Sequence, residues 1–172
     1  MPATDLGELA AELLNQAADA LGALAPARRV LVVGDPALDC RDQLAVGIVS
    51  PGVHKGDVGG PQAGLAPGVE CITVTLVGLR VTLTGCVPPP TPGGAPPKAE
   101  AINTASDGLY RQGWTLWCGL RARVKAGTLF GEQQPKRYID IGPLLPVPDQ
   151  GGTAGWTTDV VVGLDPDPAL GA

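Results

Sequence analysis

The chain lacks the residues from which most enzyme and metal sites are built. It has one histidine, His54, and no C-x-x-C pair among its four cysteines, so we do not expect tetrahedral zinc. The strand that ends at Gly34 is followed by neither a G-x-G-x-x-G nor a G-K-[ST] sequence, which argues against a nucleotide site. We find no nucleophile motif and no base with a residue to orient it. We therefore expect no enzyme, no cofactor and no metal ion.

A basic stripe is also missing. The formal net charge is −5 at pH 7, whereas proteins that hold nucleic acid by phosphate neutralisation carry clustered positive charge. A negative surface is compatible with a channel through which DNA passes without specific binding, because like charges repel.

Targeting and membrane signals are absent from the first 25 residues. The segment MPATDLGEL is acidic where a secretory signal needs positive charge, and Glu8, Glu12 and Asp19 interrupt the apolar residues that follow. We expect a soluble protein inside the cell, in which all four cysteines are reduced and mostly buried. These cysteines are Cys40, Cys71, Cys86 and Cys118.

What the chain does contain is aliphatic residues, 25 glycines and 18 prolines, with only three tryptophans, two tyrosines and one phenylalanine. The core must therefore be built mainly from valine, leucine, isoleucine and alanine. The length fits one domain over 1–172. The apolar periodicity predicts helices at 5–25 and 98–126, and strands at 28–34, 43–50, 69–87 and, as a pair within 136–164, at 136–147 and 155–164. Between them we expect a long loop at 50–68, a stiff proline-rich connection at 88–97 and a flexible tail at 165–172.

These elements predict an α/β protein in the α+β sense. We expect a small mixed or antiparallel sheet, with the N-terminal helix and the long helix packed on it. The first helix begins with Asp5 and Glu8, which resemble a capping box, and its leucine stripe would face the sheet.

The long strand at 69–87 changes the parity of its apolar residues at Val77–Gly78. A β-bulge there would restore the pattern with one extra residue, and a hairpin that turns at Gly78 is the alternative. We favour the bulge, because V-G-L-R lacks two-residue turn chemistry. In one extended strand Cys71 and Cys86 would lie roughly 50 Å apart and could not form a disulfide.

The long helix contains three glycines, Gly108, Gly113 and Gly119, which would allow close approach to the sheet or to a partner helix. We expect Trp114, Trp117 and Cys118 on its core side. Its outer edge would be basic, with Arg111, Arg121, Arg123 and Lys125, and such an edge is usually a solvated face.

Two loop regions are the candidates for contacts with other subunits. The first contains His54, Lys55 and Asp57, although a lone loop histidine is usually only solvated. The second is the segment 146–156, which ends in an isolated tryptophan, and aromatic anchors are frequent in interfaces. The alternative for Trp156 is that it covers the edge of its own core. The interface residues we predict in this second region are Asp149, Gln150, Gly151, Gly152 and Trp156.

The segments ALDCRDQLAVGIV, ITVTLVGLRVTLTGCVP and IGPLLPVPDQGGTAGWTTDVVVGL, with a two-tryptophan helix after the second, resemble the tail terminator proteins of long-tailed bacteriophages, particularly those that infect actinobacteria. The likeness spans most of 37–164. It implies a ring, typically sixfold, that caps the head-proximal end of the tail tube and stops its polymerisation. The implied partners are further copies of the chain, the tail tube protein and the head–tail connector or stopper. The implied location is the neck of the virion, assembled in the host cytoplasm, with no membrane involved.

Two alternatives remain open. One is another neck component, such as a head-closure or connector protein. The other is a small cytosolic enzyme that uses His54, Asp57 and Asp39.

Overall fold

Two α-helices and one six-stranded sheet form an α+β fold in the computed structural model, which describes residues 6–37, 41–55, 73–90, 92–131, 136–150 and 152–164. This confirms the predicted fold class. In chain order the elements are α1 (Leu6–Leu21), a short 3-10 turn (Gly22–Leu24), β1 (Arg28–Val33), β2 (Gln43–Lys55), β3 (Thr73–Cys86), α2 (Ala99–Lys125), β4 (Lys136–Ile141), β5 (Leu145–Gln150) and β6 (Thr153–Leu164).

The sheet is mixed. Its strand order is β1-β2-β3-β6-β4, with β5 also paired to β6. β1 runs parallel to β2, and the remaining pairs are antiparallel. β4 pairs with the second half of β6 and β5 with its first half, so these two short strands share one edge of the sheet while β1 forms the other.

β3 is a single extended strand, and it is paired along its length on both sides. The hairpin alternative is therefore wrong. A register shift is present, but it lies in the neighbouring strand: Ile48 pairs with Leu79 and Ser50 with Gly78, which leaves Val49 as the extra residue of β2. The bulge predicted in β3 thus belongs to its partner strand. Four alternate β3 side chains enter the core: Val77, Leu79, Val81 and Leu83.

Two predicted strands have wrong boundaries, because one is longer than expected and the other is divided into two. β2 continues to Lys55, where it still pairs with β3 at Thr73, so the first six residues of the expected loop at 50–68 are strand. The predicted strand 136–147 is instead β4 and the start of β5, separated by Gly142 and the two residues that follow it. The residues 56–68 and the expected tail at 165–172 lie outside the described residues.

Residues 34–37, which follow β1, lie on the face of the sheet opposite the helices. The Gly34 N–H donates to the carbonyl of Ile48 at 3.3 Å, and the side-chain amide of Gln43 donates to the carbonyl of Ala37 at 3.0 Å. Gly47 makes this placement possible, because a Cβ there would collide with the Gly34 carbonyl oxygen. Residues 34–37 therefore lie against β2.

One guanidinium joins this segment to the centre of the sheet. Arg80 of β3 donates from Nε and Nη2 to the two carboxylate oxygens of Asp159 in β6, at 2.7 and 3.1 Å, and from Nη1 to Asp35 at 3.0 Å. These bonds raise the pKa of Arg80, chiefly through Asp159. The cluster is partly exposed, so we regard it as a brace between strands and not as a site.

Both helices pack on the other face of the sheet. α1 contacts mainly β1 and β2, and α2 contacts β3, β4 and β6. The predicted leucine stripe of α1 is confirmed, because Leu9, Leu13 and Leu21 are buried in the core. The proposed cap at Asp5 lies outside the described residues. α2 ends at Lys125, and two residues later Gly127, with a φ of 68°, donates its N–H to the carbonyl of Val124, as in a glycine-terminated helix end.

Two of the three glycines of α2 permit close packing, as the sequence suggested. A Cβ at Gly119 would lie 2.7 Å from the Ala20 Cβ of α1, and one at Gly113 would lie 2.7 Å from Cγ of Trp156. Gly108 has no atom within 4 Å of the corresponding position, so it has no such role.

We expect Gly119→Ala and Gly108→Ala to change stability in opposite directions. Gly119→Ala should destabilise by about 1–3 kcal/mol, because the helices must separate to admit the methyl group. Gly108→Ala, at an exposed helical position, should stabilise by up to about 1 kcal/mol. Urea unfolding followed by circular dichroism measures both, and stabilisation by Gly119→Ala would contradict the observed helix contact.

Cys86 is disulfide-bonded, so the expectation that all four cysteines are reduced is wrong. Cys118 is free and exposed, contrary to its expected position on the core side of the helix. Cys71 lies two residues before Thr73, and the strand from Thr73 to Cys86 is roughly 43 Å long at about 3.3 Å per residue. The two residues of chain between Cys71 and the start of this strand cannot span its length, so Cys71 cannot be the disulfide partner of Cys86.

We predict that peptide mapping of the protein under non-reducing conditions links the Cys86 peptide to the Cys40 peptide. Cys86→Ser should lower the melting temperature, by the equivalent of about 2–4 kcal/mol, because the bond closes a long loop in the unfolded chain. Cys71→Ser is the matched control and should leave the linkage intact. Recovery of a Cys71–Cys86 peptide would contradict the extended β3.

Candidate assembly interface

Four of the six aromatic residues of the chain lie together at one side of the molecule. Tyr110, Trp114 and Trp117 follow one another at helical spacing on the flank of α2, and Trp156 of β6 lies beneath them. The Trp114 and Trp117 ring centres are 5.4 Å apart, and those of Tyr110 and Trp156 are 6.2 Å apart in an edge-on arrangement. We call these four residues the aromatic ridge.

Polar contacts fix the ridge at the β4/β5 edge of the sheet. The indole N–H of Trp117 donates to the carbonyl of Gly142, between β4 and β5, at 2.9 Å. The guanidinium carbon of Arg121 lies 4.7 Å from the centre of the Trp117 ring, which is a cation–π distance. The position of Trp117 is thus set from both sides, and its ring supports that of Trp114.

The ridge remains open to solvent at its outer members. Tyr110 is 59% exposed and Trp114 is 51% exposed, whereas Trp117 is half-buried against the core. The prediction that Trp114 faces the core is therefore wrong. The predicted basic outer edge is found for Arg111, Arg121 and Lys125, which are exposed.

Trp156 is not at a loop tip. It lies within β6, pairs with Leu83 and Pro146, and is half-buried, with its ring against Gly113 of α2. The position favours the alternative considered for this residue, in which it covers its own core. Through its contact with Tyr110, Trp156 is still the half-buried base of the aromatic ridge.

A second apolar surface lies at the opposite edge of the sheet. β1 is the edge strand, and its alternate residues Leu31 and Val33 are 48% and 93% exposed. In parallel register Leu31 pairs with Val46 and Val33 with Ile48, so both side chains lie on the helix-bearing face but beyond the cover of α1. We call Leu31 and Val33 the β1 patch.

The interface residues predicted from the sequence do not form one surface. His54 and Lys55 are at the end of β2 that pairs with the start of β3, while Gly152 is in the turn at the opposite end, before Thr153. The length of β6 separates the two groups by roughly 36 Å. Asp149 and Gln150 are in β5, and Gly152, with φ 84°, accepts a hydrogen bond from the Val87 N–H at 2.7 Å. Asp57 and Gly151 lie outside the described residues, as does Asp39 of the enzyme alternative.

The aromatic ridge was missed, although its signal is in the sequence. The positions 110, 114, 117 and 121 have the i, i+4, i+7, i+11 spacing of one helix flank, and they carry three aromatic residues and an arginine. The β1 patch had no such signal, because nothing in the local sequence R-R-V-L-V-V indicates that the strand lies at an edge of the sheet.

A groove of about 580 Å³ lies under the first half of α2. Asp42 of the β1–β2 connection, Asp107 and Arg111 of α2, and Leu24 at the end of the 3-10 turn contribute to its walls. His54 is at the far end of β2 from Asp42, so the groove does not assemble the enzyme site considered above. In the described ranges no three His, Cys, Asp or Glu side chains are grouped to share a metal ion.

No protein-family model matches this chain, and no curated protein matches it. Neither helix of the described part of the chain has both the length and the apolar character needed to cross a bilayer.

We expect Trp156→Ala and Trp114→Ala to differ in their effects on folding. Trp156→Ala should destabilise by about 3 kcal/mol, because it removes a ring packed between β6 and α2. Trp114→Ala, at a half-exposed position, should cost about 1 kcal/mol or less. Thermal melts compare the two, and equal melting temperatures would contradict the packing role of Trp156.

Proposed function

We propose that this chain is a structural virion protein, a tail terminator whose copies form a ring at the head-proximal end of a bacteriophage tail tube. The ring ends polymerisation of the tube and joins it to the head connector. Its role is assembly, with no catalytic step. The observation that carries the proposal is the aromatic ridge, held at one sheet edge with its outer members open to solvent.

The composition of the ridge supports an interface. Tyrosine, tryptophan and arginine are the residue types most enriched among the energetic anchors of protein–protein contacts. Tyr110, Trp114 and Arg121 are all exposed on one flank of α2. A rigid helix that presents large rings at a sheet edge suits a permanent contact between subunits.

The exposed part of α2 also supports assembly. Every residue of Ala99–Gly108 except Ala105 is exposed, and the second half of this segment borders the groove that Asp42 and Gly85 also line. Ile102 lies at the core-facing angle of the helix but remains 36% exposed. This exposed helical segment is available to the tube protein or to the connector, and not to the neighbouring copy in the ring.

The sequence adds two further lines of support. The resemblance to tail terminators spans most of 37–164. The net charge of −5 suits a ring through which DNA must pass without being held.

The test is the mass of the full-length protein in solution, alone and with the tail tube protein encoded by the same genome. We expect a closed ring of six chains in one or both conditions, visible by negative-stain electron microscopy. Added to polymerising tube protein, it should shorten the tubes and occupy one end. A protein that remains monomeric in both conditions would contradict the ring.

A parallel experiment distinguishes a tail terminator from a neck protein of another type. Rings that bind the head connector but leave tube length unchanged would identify a head-closure or connector role. Rings that cap the tube identify the terminator.

A further inference from the structure

We propose that neighbouring copies of this chain join head to tail, with the aromatic ridge of one copy docked against the β1 patch of the next. The inference rests on the proposed ring and names the two surfaces that close it. The occupant of each surface is a second copy of this chain.

The positions of the two surfaces support a head-to-tail contact. The ridge lies on the flank of α2 away from α1, at the β4/β5 edge, whereas the β1 patch is at the other edge, four strand spacings or roughly 19 Å away. A two-fold dimer formed at either edge of the sheet would leave the surface at the other edge exposed. In a head-to-tail ring every copy buries both.

The available apolar area is adequate for the centre of such a contact. Tyr110, Trp114, Leu31 and Val33 are 59%, 51%, 48% and 93% exposed. At about 150–250 Å² for a fully exposed side chain of this size, these fractions correspond to roughly 500 Å². A standard interface buries about 1,600 Å² in total, of which the apolar centre is a part and the polar rim the remainder.

The charged residues of α1 and α2 bear on which of the two surfaces can dock against which. α1, which lies over β1 and β2, carries Glu8, Glu12 and Asp19 and no basic residue. The part of α2 from Tyr110 to Lys125 carries four basic residues and no carboxylate. These four are Arg111, Arg121, Arg123 and Lys125.

The ridge flank of α2 is therefore basic and α1 is acidic, while the β1 edge is mixed, because exposed Arg29 lies on the same face of β1 as Leu31 and Val33. Head-to-tail docking places the basic flank of α2 on the side of the next copy that carries the α1 carboxylates, whereas ridge-to-ridge docking brings basic residues together.

Two charge substitutions test the arrangement by complementation. Trp114→Glu disables the ridge, and Val33→Glu disables the β1 patch; both side chains are largely solvent-exposed, so folding should be retained. Each variant alone should be monomeric by light scattering. An equimolar mixture should give a particle of twice the monomer mass, because the Val33→Glu copy keeps its ridge and the Trp114→Glu copy keeps its β1 patch.

Ile102→Glu is the control, since it places the same charge on the same helix but outside both surfaces. It should assemble as the wild type does, and thermal melts of all three variants report folding. Loss of assembly by Ile102→Glu equal to that by Trp114→Glu would overturn the assignment of the surface.

The remaining outcomes separate this inference from the proposed function. If Trp114→Glu is monomeric while Val33→Glu keeps the wild-type mass, the contact is ridge to ridge and the head-to-tail arrangement is wrong. If both variants form wild-type rings, the proposed ring is supported and the assignment of this interface is wrong. A wild type that is monomeric alone and with tube protein overturns both.

Discussion

The pairing of β3 along both of its edges is the constraint on which the rest of the structure depends. The residues of this strand from Thr75 to Thr84 are held between β2 and β6, so a shift by one residue would turn every core side chain outward. Val77, Leu79 and Val81 must face the helices, and Arg80 and Thr82 must face the other side. Residues 34–37, which follow β1, then occupy the face with Arg80, and both helices occupy the face with the valines and leucines.

Small residues determine how closely the helix layer approaches that sheet. Gly113 lets α2 rest on the ring of Trp156, and Gly119 lets it meet α1 at Ala20. With both contacts made, the helix cannot rotate to bury its flank. Tyr110 and Trp114 therefore remain outside, while Trp117 is held by its bond to Gly142. The aromatic ridge is a consequence of close packing elsewhere on the same helix.

The two edges of the sheet differ in kind. Two short strands, β4 and β5, form one edge, and the aromatic ridge lies above it. The other edge is β1, a short parallel strand with two exposed apolar side chains. Exposed sheet edges are normally protected by charge, by bulges or by a partner. The proposed head-to-tail contact would cover the ridge and the β1 patch together.

Local periodicity determined a large part of this protein. The leucines of α1, the alternation of β3 and the length of α2 up to Lys125 are set by neighbours within a few residues, so the α+β class could be predicted. Relations between distant segments could not. The bulge lies in β2 because Val49 has no partner on β3, and β2 runs on to Lys55 because β3 offers unpaired backbone groups there. Trp156 is covered because α2 crosses it, and Val33 is exposed because the sheet ends at β1. Spacing along the chain states which residues share a face, but only the tertiary structure decides what lies against that face, because burial depends on segments far away in sequence.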